Sequence, residues 1–184
     1  MNYLATTALI LSFGIPGYAQ HVSANMRLSG TAAASAVDLG TGAPVSEYTL
    51  AGKGALGKFT LRVVSSGTTS PQQSIPCSGP NKLYFPILTG AAVFRFHDES
   101  LLNAAVTGGS DCIDLSAGHA QCIRIFQITG GTGRFKDASS NNLALTMVVT
   151  PVVPANPVFF FVTGEITGTV FKVAADNQSQ DAAQ

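Results

Sequence analysis

Downstream of residue 19 no segment carries an apolar stripe at helical spacing. Apolar residues fall instead in short stretches, many of them alternating, cut apart by glycine, proline and small polar residues. Alternation puts successive side chains on opposite faces of a strand, and the punctuation supplies the turns. The stretches are Val22 to Leu28, Ser46 to Gly52, Lys58 to Val64, Leu83 to Leu88, Ala91 to His97, Leu101 to Thr107, Cys122 to Thr129, Leu143 to Thr150 and Phe159 to Lys172. Strands this short and this closely spaced predict an antiparallel barrel or sandwich rather than βαβ units. An open sheet must blunt its edges with charge or proline, and these strands carry few charges. The expected fold class is therefore all-β: a single closed antiparallel β-barrel of about eight strands. A barrel of that size is just wide enough for side chains or one small ligand.

The punctuation is informative in three places. Lys53-Gly54-Ala55-Leu56-Gly57 reads as a hairpin connection. Ser65 to Pro80, rich in Pro, Gly and Ser, reads as a long surface loop and a candidate rim. Gly130-Gly131-Thr132-Gly133-Arg134-Phe135 follows a strand directly, and its glycines permit positive φ. A phosphate loop needs a helix and a Lys-Ser or Lys-Thr after its last glycine; Arg134-Phe135 follows here. Gly130, Gly131, Gly133, Arg134 and Phe135 are read as a structural turn, with Arg134 bridging carbonyls or a carboxylate across the barrel end.

Ten basic and ten acidic side chains cancel, and 11% of residues are charged. No dense cationic surface follows from such a composition, so nucleic acid is not an expected partner. Residues 1–19 read as an export signal. Leu4 to Ile15 is apolar, too short to span ~30 Å of hydrocarbon as a helix, and Gly17-Tyr18-Ala19 ends on small residues suited to cleavage. The n-region has no Lys or Arg, which leaves an uncleaved anchor as the alternative. The expected division is a signal over 1–19, a barrel domain over 20–173 and a disordered tail over 174–184. The expected location is secreted or periplasmic, with no membrane contact after cleavage.

Three cysteines fit an oxidising compartment. With Ser116 to His119 as a turn, Cys112 and Cys122 stand opposite each other on a hairpin, within reach of a disulfide. The alternative joins Cys77 to Cys112 or Cys122 across a long loop. No pair of Cys or His residues has the short spacing of a zinc site, so neither metal nor cofactor is expected.

Candidate ligand-binding residues depend on which faces point inward. In Ala91 to His97, one face carries Val93, Arg95 and His97 and the other Phe94 and Phe96. An inward Arg95 and His97 would line a cavity with a cation and a proton-transfer group; an inward aromatic face leaves them in solvent. Glu165 lies opposite the face of Val162, Ile166 and Val170, the natural core face. Inside a cavity its carboxyl would act as an acid. Asp98, Glu99 and Asp111 cluster with turn residues and are expected to be solvated.

Gly130 through Ala138, with the glycine-bearing hairpin Gly54 through Thr60, resembles the superfamily containing dirigent proteins and allene oxide cyclase. The likeness is nearest to its uncharacterised secreted bacterial branch, and runs roughly from Tyr48 to Val170. Ser139-Ser140 stand where many relatives have another glycine. The resemblance implies a closed antiparallel barrel, often trimeric, with a small apolar or phenolic ligand held in the mouth. It leaves three functions open: a binding protein without catalysis, a dirigent- or cyclase-like enzyme that guides coupling or cyclisation by positioning, and a structural protein of the envelope. The superfamily's catalytic residues find no match outside the glycine turns.

Overall fold

The computed structural model describes residues 20–153 and 159–174. The expected export signal, and the tail beyond Ala174, lie outside the described residues. Among the described residues nine strands form one sheet: β1 (Gln20–Ser23), β2 (Met26–Ser35), β3 (Val45–Gly54), β4 (Gly57–Gly67), β5 (Lys82–Phe96), β6 (Leu101–Asp114), β7 (His119–Gly131), β8 (Ser139–Val153) and β9 (Phe159–Val173). Each strand from β2 to β9 pairs antiparallel with the next, and β9 returns to β2. The result is a closed antiparallel barrel of eight strands. β1 pairs with the far end of β9, extending the line of β2.

Strands are longer than the apolar stretches because pairing carries them across residues that show no pattern of their own. The Ala-rich segment after Leu28 belongs to β2, in register with β3 as far as Ser35↔Val45. Ser65 and Ser66, expected in a surface loop, close β4 and are buried. Leu83 to Leu88 and Ala91 to His97 merge into β5, whereas β6 runs through Gly108-Gly109 by means of a bulge. That bulge sets the geometry of one barrel end. Leu102, Ala104 and Val106 point inward. The extra residue between Val106 and Gly108 then inverts the parity, turning Asp111 in and Cys112 out. Gly109, at φ 131°, is the residue that lets β6 make this turn against the Ile123 carbonyl.

The interior is filled by side chains. Phe59, Phe94, Phe96, Phe126 and Phe135 pack with Leu50, Leu61, Leu102, Leu143, Leu145, Met147 and Ile166. Phe94 meets Phe126 edge-on at 5.9 Å between centroids, a favoured aromatic geometry.

The disulfide joins Cys77 to Cys112 and not Cys112 to Cys122. The hairpin register explains the correction. Asp114 pairs with His119, so Gln121 stands opposite Cys112 and Asp111 opposite Cys122. One residue of register separates the two sulfurs and puts them on opposite faces of the sheet. Asp114 holds that register by accepting from the Ser116 and Ala117 amides at 3.0 and 2.9 Å. Cys112 faces outward and ties the long loop after β4 to the barrel flank, closing a separation of 35 residues. A loop of that length predicts that Cys77→Ser/Cys112→Ser loses about 2–4 kcal/mol of unfolding free energy, read from urea midpoints; an unchanged midpoint would show the loop adding no stability.

Candidate functional site

Among the described residues, one charged side chain is wholly enclosed in the barrel. Arg124 on β7 has 0% exposure and lies between Cys122 and Phe126 on the inward face. Its Nε donates to Ser65 Oγ at 2.9 Å. Nη1 donates to Asp111 Oδ1 at 2.6 Å and to the Ile123 carbonyl at 2.9 Å. Nη2 donates to the Tyr48 hydroxyl at 2.8 Å and to Asp111 Oδ2 at 3.2 Å. Arg124 thus forks onto one carboxylate, the arrangement that best suits a guanidinium. Four strands supply the group: β3 gives Tyr48, β4 Ser65, β6 Asp111 and β7 Arg124 with Cys122. The residues between strands 2 and 3 reach over the same end, where the Thr41 and Ser66 hydroxyls bond at 2.7 Å.

The electrostatics follow from enclosure. Burial works against the Arg124 charge, but Tyr48 and Asp111 outweigh it and hold the guanidinium protonated. Burial pushes the Tyr48 phenol well above its ordinary value, with Arg124 only partly opposing. The Cys122 thiol is likewise pushed far up, by burial first and then by Asp111. Neither group yields a nucleophile near neutrality. The Asp111 side chain retains 21% exposure while Arg124 has none. The cluster therefore presents a fixed, oriented carboxylate at the barrel mouth, backed by a buried cation that also donates to the Tyr48 and Ser65 hydroxyls. Such a group accepts hydrogen bonds from a ligand; it has little means of covalent catalysis. Alkylation checks the thiol: the folded protein gives no Cys122 adduct with iodoacetamide at pH 8, and the denatured, unreduced protein gives one per chain. A native adduct would contradict the enclosure.

The expected site residues lie elsewhere. Phe94 and Phe96 point into the core, so Val93, Arg95 and His97 point out. Arg95 and His97 border a shallow surface groove with Lys58, Thr60 and Glu99, of about 320 Å³. Glu165 is exposed on β9 beside Arg27. None of the three meets the Arg124 cluster. Asp111, expected in solvent, is the partner of the buried cation, and Asp98 is 13% exposed and paired with Arg134.

The glycine turn closes the opposite end. Gly133 has φ 56°, and any Cβ there would strike the Ser100 side chain. Phe135 is fully buried, 4.5 Å from the Phe96 ring. Arg134 lies over both rings, at 5.0 and 4.7 Å, bonds the Leu56 carbonyl at 2.6 Å and pairs with Asp98 at 2.9 Å. It ties three turns together and is a structural plug.

Comparison by sequence gives no match, either to a family model or to a curated protein. Among solved structures the chain is similar to a pterocarpan synthase dirigent protein. Identity is 11% over 86% of this chain and 88% of that one, with a TM-score of 0.41. No residue or activity is carried across from it.

Proposed function

We propose that this chain is an exported barrel protein that binds a small phenolic or similarly apolar ligand at the mouth occupied by Asp111, Arg124 and Tyr48, without turning it over. The observation that carries this reading is the enclosed Arg124–Asp111 pair in an otherwise apolar interior. A buried ion pair contributes little net stability compared with apolar residues of the same volume. Its use is better sought at the mouth, where Asp111 remains partly open to solvent. A phenol hydroxyl donating to that carboxylate uses what the site offers. The Cys77–Cys112 disulfide supports an oxidising compartment, and so export.

The filled interior favours a second reading, a structural or interaction protein of the envelope. A cyclase- or coupling-type enzyme, which would act by enclosing and positioning its substrate, receives less support because side chains fill the interior. An NMR titration with 4-methylphenol, and with toluene as its counterpart lacking the hydroxyl, separates these readings. The binding reading expects saturable shifts at Asp111, Arg124 and Tyr48 with the phenol, weaker shifts with toluene, and loss of the difference in Asp111→Asn. Shifts that never saturate, or that fall outside the mouth, would leave the envelope reading standing.

A further inference from the structure

The chain has ten Lys and Arg residues. Among the described residues, ion pairs take up Arg62, Lys82, Arg124 and Arg134, and Arg27, Lys53, Lys58, Arg95, Lys136 and Lys172 are in none. Four of those six gather on one flank of the barrel. Arg27 stands directly opposite Lys53, and Lys53 directly opposite Lys58, on three successive strands. The row continues to His97, whose amide bonds the Lys58 carbonyl at 3.1 Å, with Arg95 one diagonal step away opposite Thr60. All five side chains are exposed. Strands lie ~4.8 Å apart, so the three paired cations span roughly 10 Å.

Like charges directly opposed across a sheet destabilise it. A surface selected for stability alone would alternate signs along this row, as it does where Arg62 meets Glu47. Two adjoining shallow grooves of about 560 and 530 Å³ border Arg27, Lys53 and Lys58. Asn25, Ser29 and Thr60, all exposed, supply hydroxyl and amide groups beside them. Glu165 next to Arg27 and Glu99 next to His97 bound the row at its two ends.

We propose that this row is a binding surface for an acidic polysaccharide, an extended glycan whose carboxylates recur along its length. Lysine ammoniums are compact, strongly hydrated point charges, suited to separate carboxylates in a wet groove rather than to bidentate clamping. The neighbouring Asn, Ser and Thr side chains match sugar hydroxyls. Other polyanions fit less well. Phe59, Phe94 and Phe96 face the core, so the patch offers no phenyl ring on which a base could stack and leaves only the His97 imidazole exposed along the row. The net charge of zero gives no field to hold a duplex. A lipid surface calls for several apolar side chains beside the cations; Val93 stands next to Arg95, but the exposed Ile123, Ile125, Val148, Phe159 and Phe161 lie on β7 to β9.

The test is retardation of the full chain in native gels containing polygalacturonate, with neutral galactan as the uncharged probe. Wild type is retarded by polygalacturonate alone. Lys53→Gln/Lys58→Gln weakens binding about tenfold or more, as expected when two surface cations facing a polyanion are lost. Lys136→Gln/Lys172→Gln removes the same net charge away from the row and leaves binding unchanged. Salt at ~0.5 M, where the screening length is only a few Å, abolishes it. The row variant also keeps or raises its denaturation midpoint, which separates lost binding from lost folding. Three results would overturn the proposal: no retardation of wild type, equal loss in both double variants, or displacement of polygalacturonate by duplex DNA at lower concentration.

Discussion

Replacing Arg124 with Met lowers the unfolding free energy by about 3–5 kcal/mol, because removing one member of a buried ion pair strands the other. Met fills much of the volume but makes none of the bonds to Asp111, Tyr48 and Ser65. The Asp111 carboxylate then loses its fork, and the Tyr48 hydroxyl, in a residue only 4% exposed, loses its 2.8 Å partner. The loss falls toward the lower end of that range, since Asp111 keeps some access to water. Removing the carboxylate as well should reverse most of it: Arg124→Met/Asp111→Leu trades a buried pair for apolar contacts, an exchange that is often close to neutral. A remaining deficit of about 1–3 kcal/mol belongs to the orphaned Tyr48 hydroxyl, and Tyr48→Phe on that background restores it. Urea denaturation of the single, double and triple variants measures the coupling directly. Additive losses would show that these side chains do not act as a unit.

Phe135→Ala is expected to cost about 3–5 kcal/mol, the usual range for deleting a buried aromatic ring. The ring is fully enclosed, sits 4.5 Å from Phe96, and carries the Arg134 guanidinium 4.7 Å above it. Its removal opens a cavity beneath the turn that cannot collapse easily. Gly133 and Gly131 already lie against Ser100, the Leu101 carbonyl and the Phe135 backbone. Phe135→Leu keeps most of the volume and loses much less, which distinguishes packing from a special aromatic requirement. Calorimetry reads the difference as a drop on the order of 10 °C for the Ala variant in a domain of this size. A shift of one or two degrees would mean that the turn closes the barrel through its backbone alone.

Closure was legible because it needs only a count of strands and a scarcity of edge charge. The parity of Ala91 to His97 was half legible: two Phe on one face against Arg95 and His97 on the other favoured an inward aromatic face without deciding it, and the structure turns Phe94 and Phe96 inward. The strand with Arg124 was not. Cys122, Arg124 and Phe126 share one face, Ile123 and Ile125 the other, and a pattern apolar on both faces does not say which is buried. The pairing of Cys112 was misplaced for a related reason. Setting Cys112 against Cys122 requires Leu115 to face His119; Asp114 faces it instead, and a single step of register moves a sulfur through the sheet. Gly108-Gly109 was the one available signal, since paired glycines inside a strand often mark a bulge.

What the chain settles locally is therefore the strand content and the glycine turn with its chemistry: Gly133 where φ must be positive and Phe135 where an end must be plugged. What required three dimensions is the partner of each polar group. Arg124, Asp111, Tyr48 and Ser65 are separated by up to 76 residues, and no periodicity links them. Alternation has a period of two and carries no memory across a bulge, so their convergence is decided only when β6 shifts its parity and the barrel closes around them.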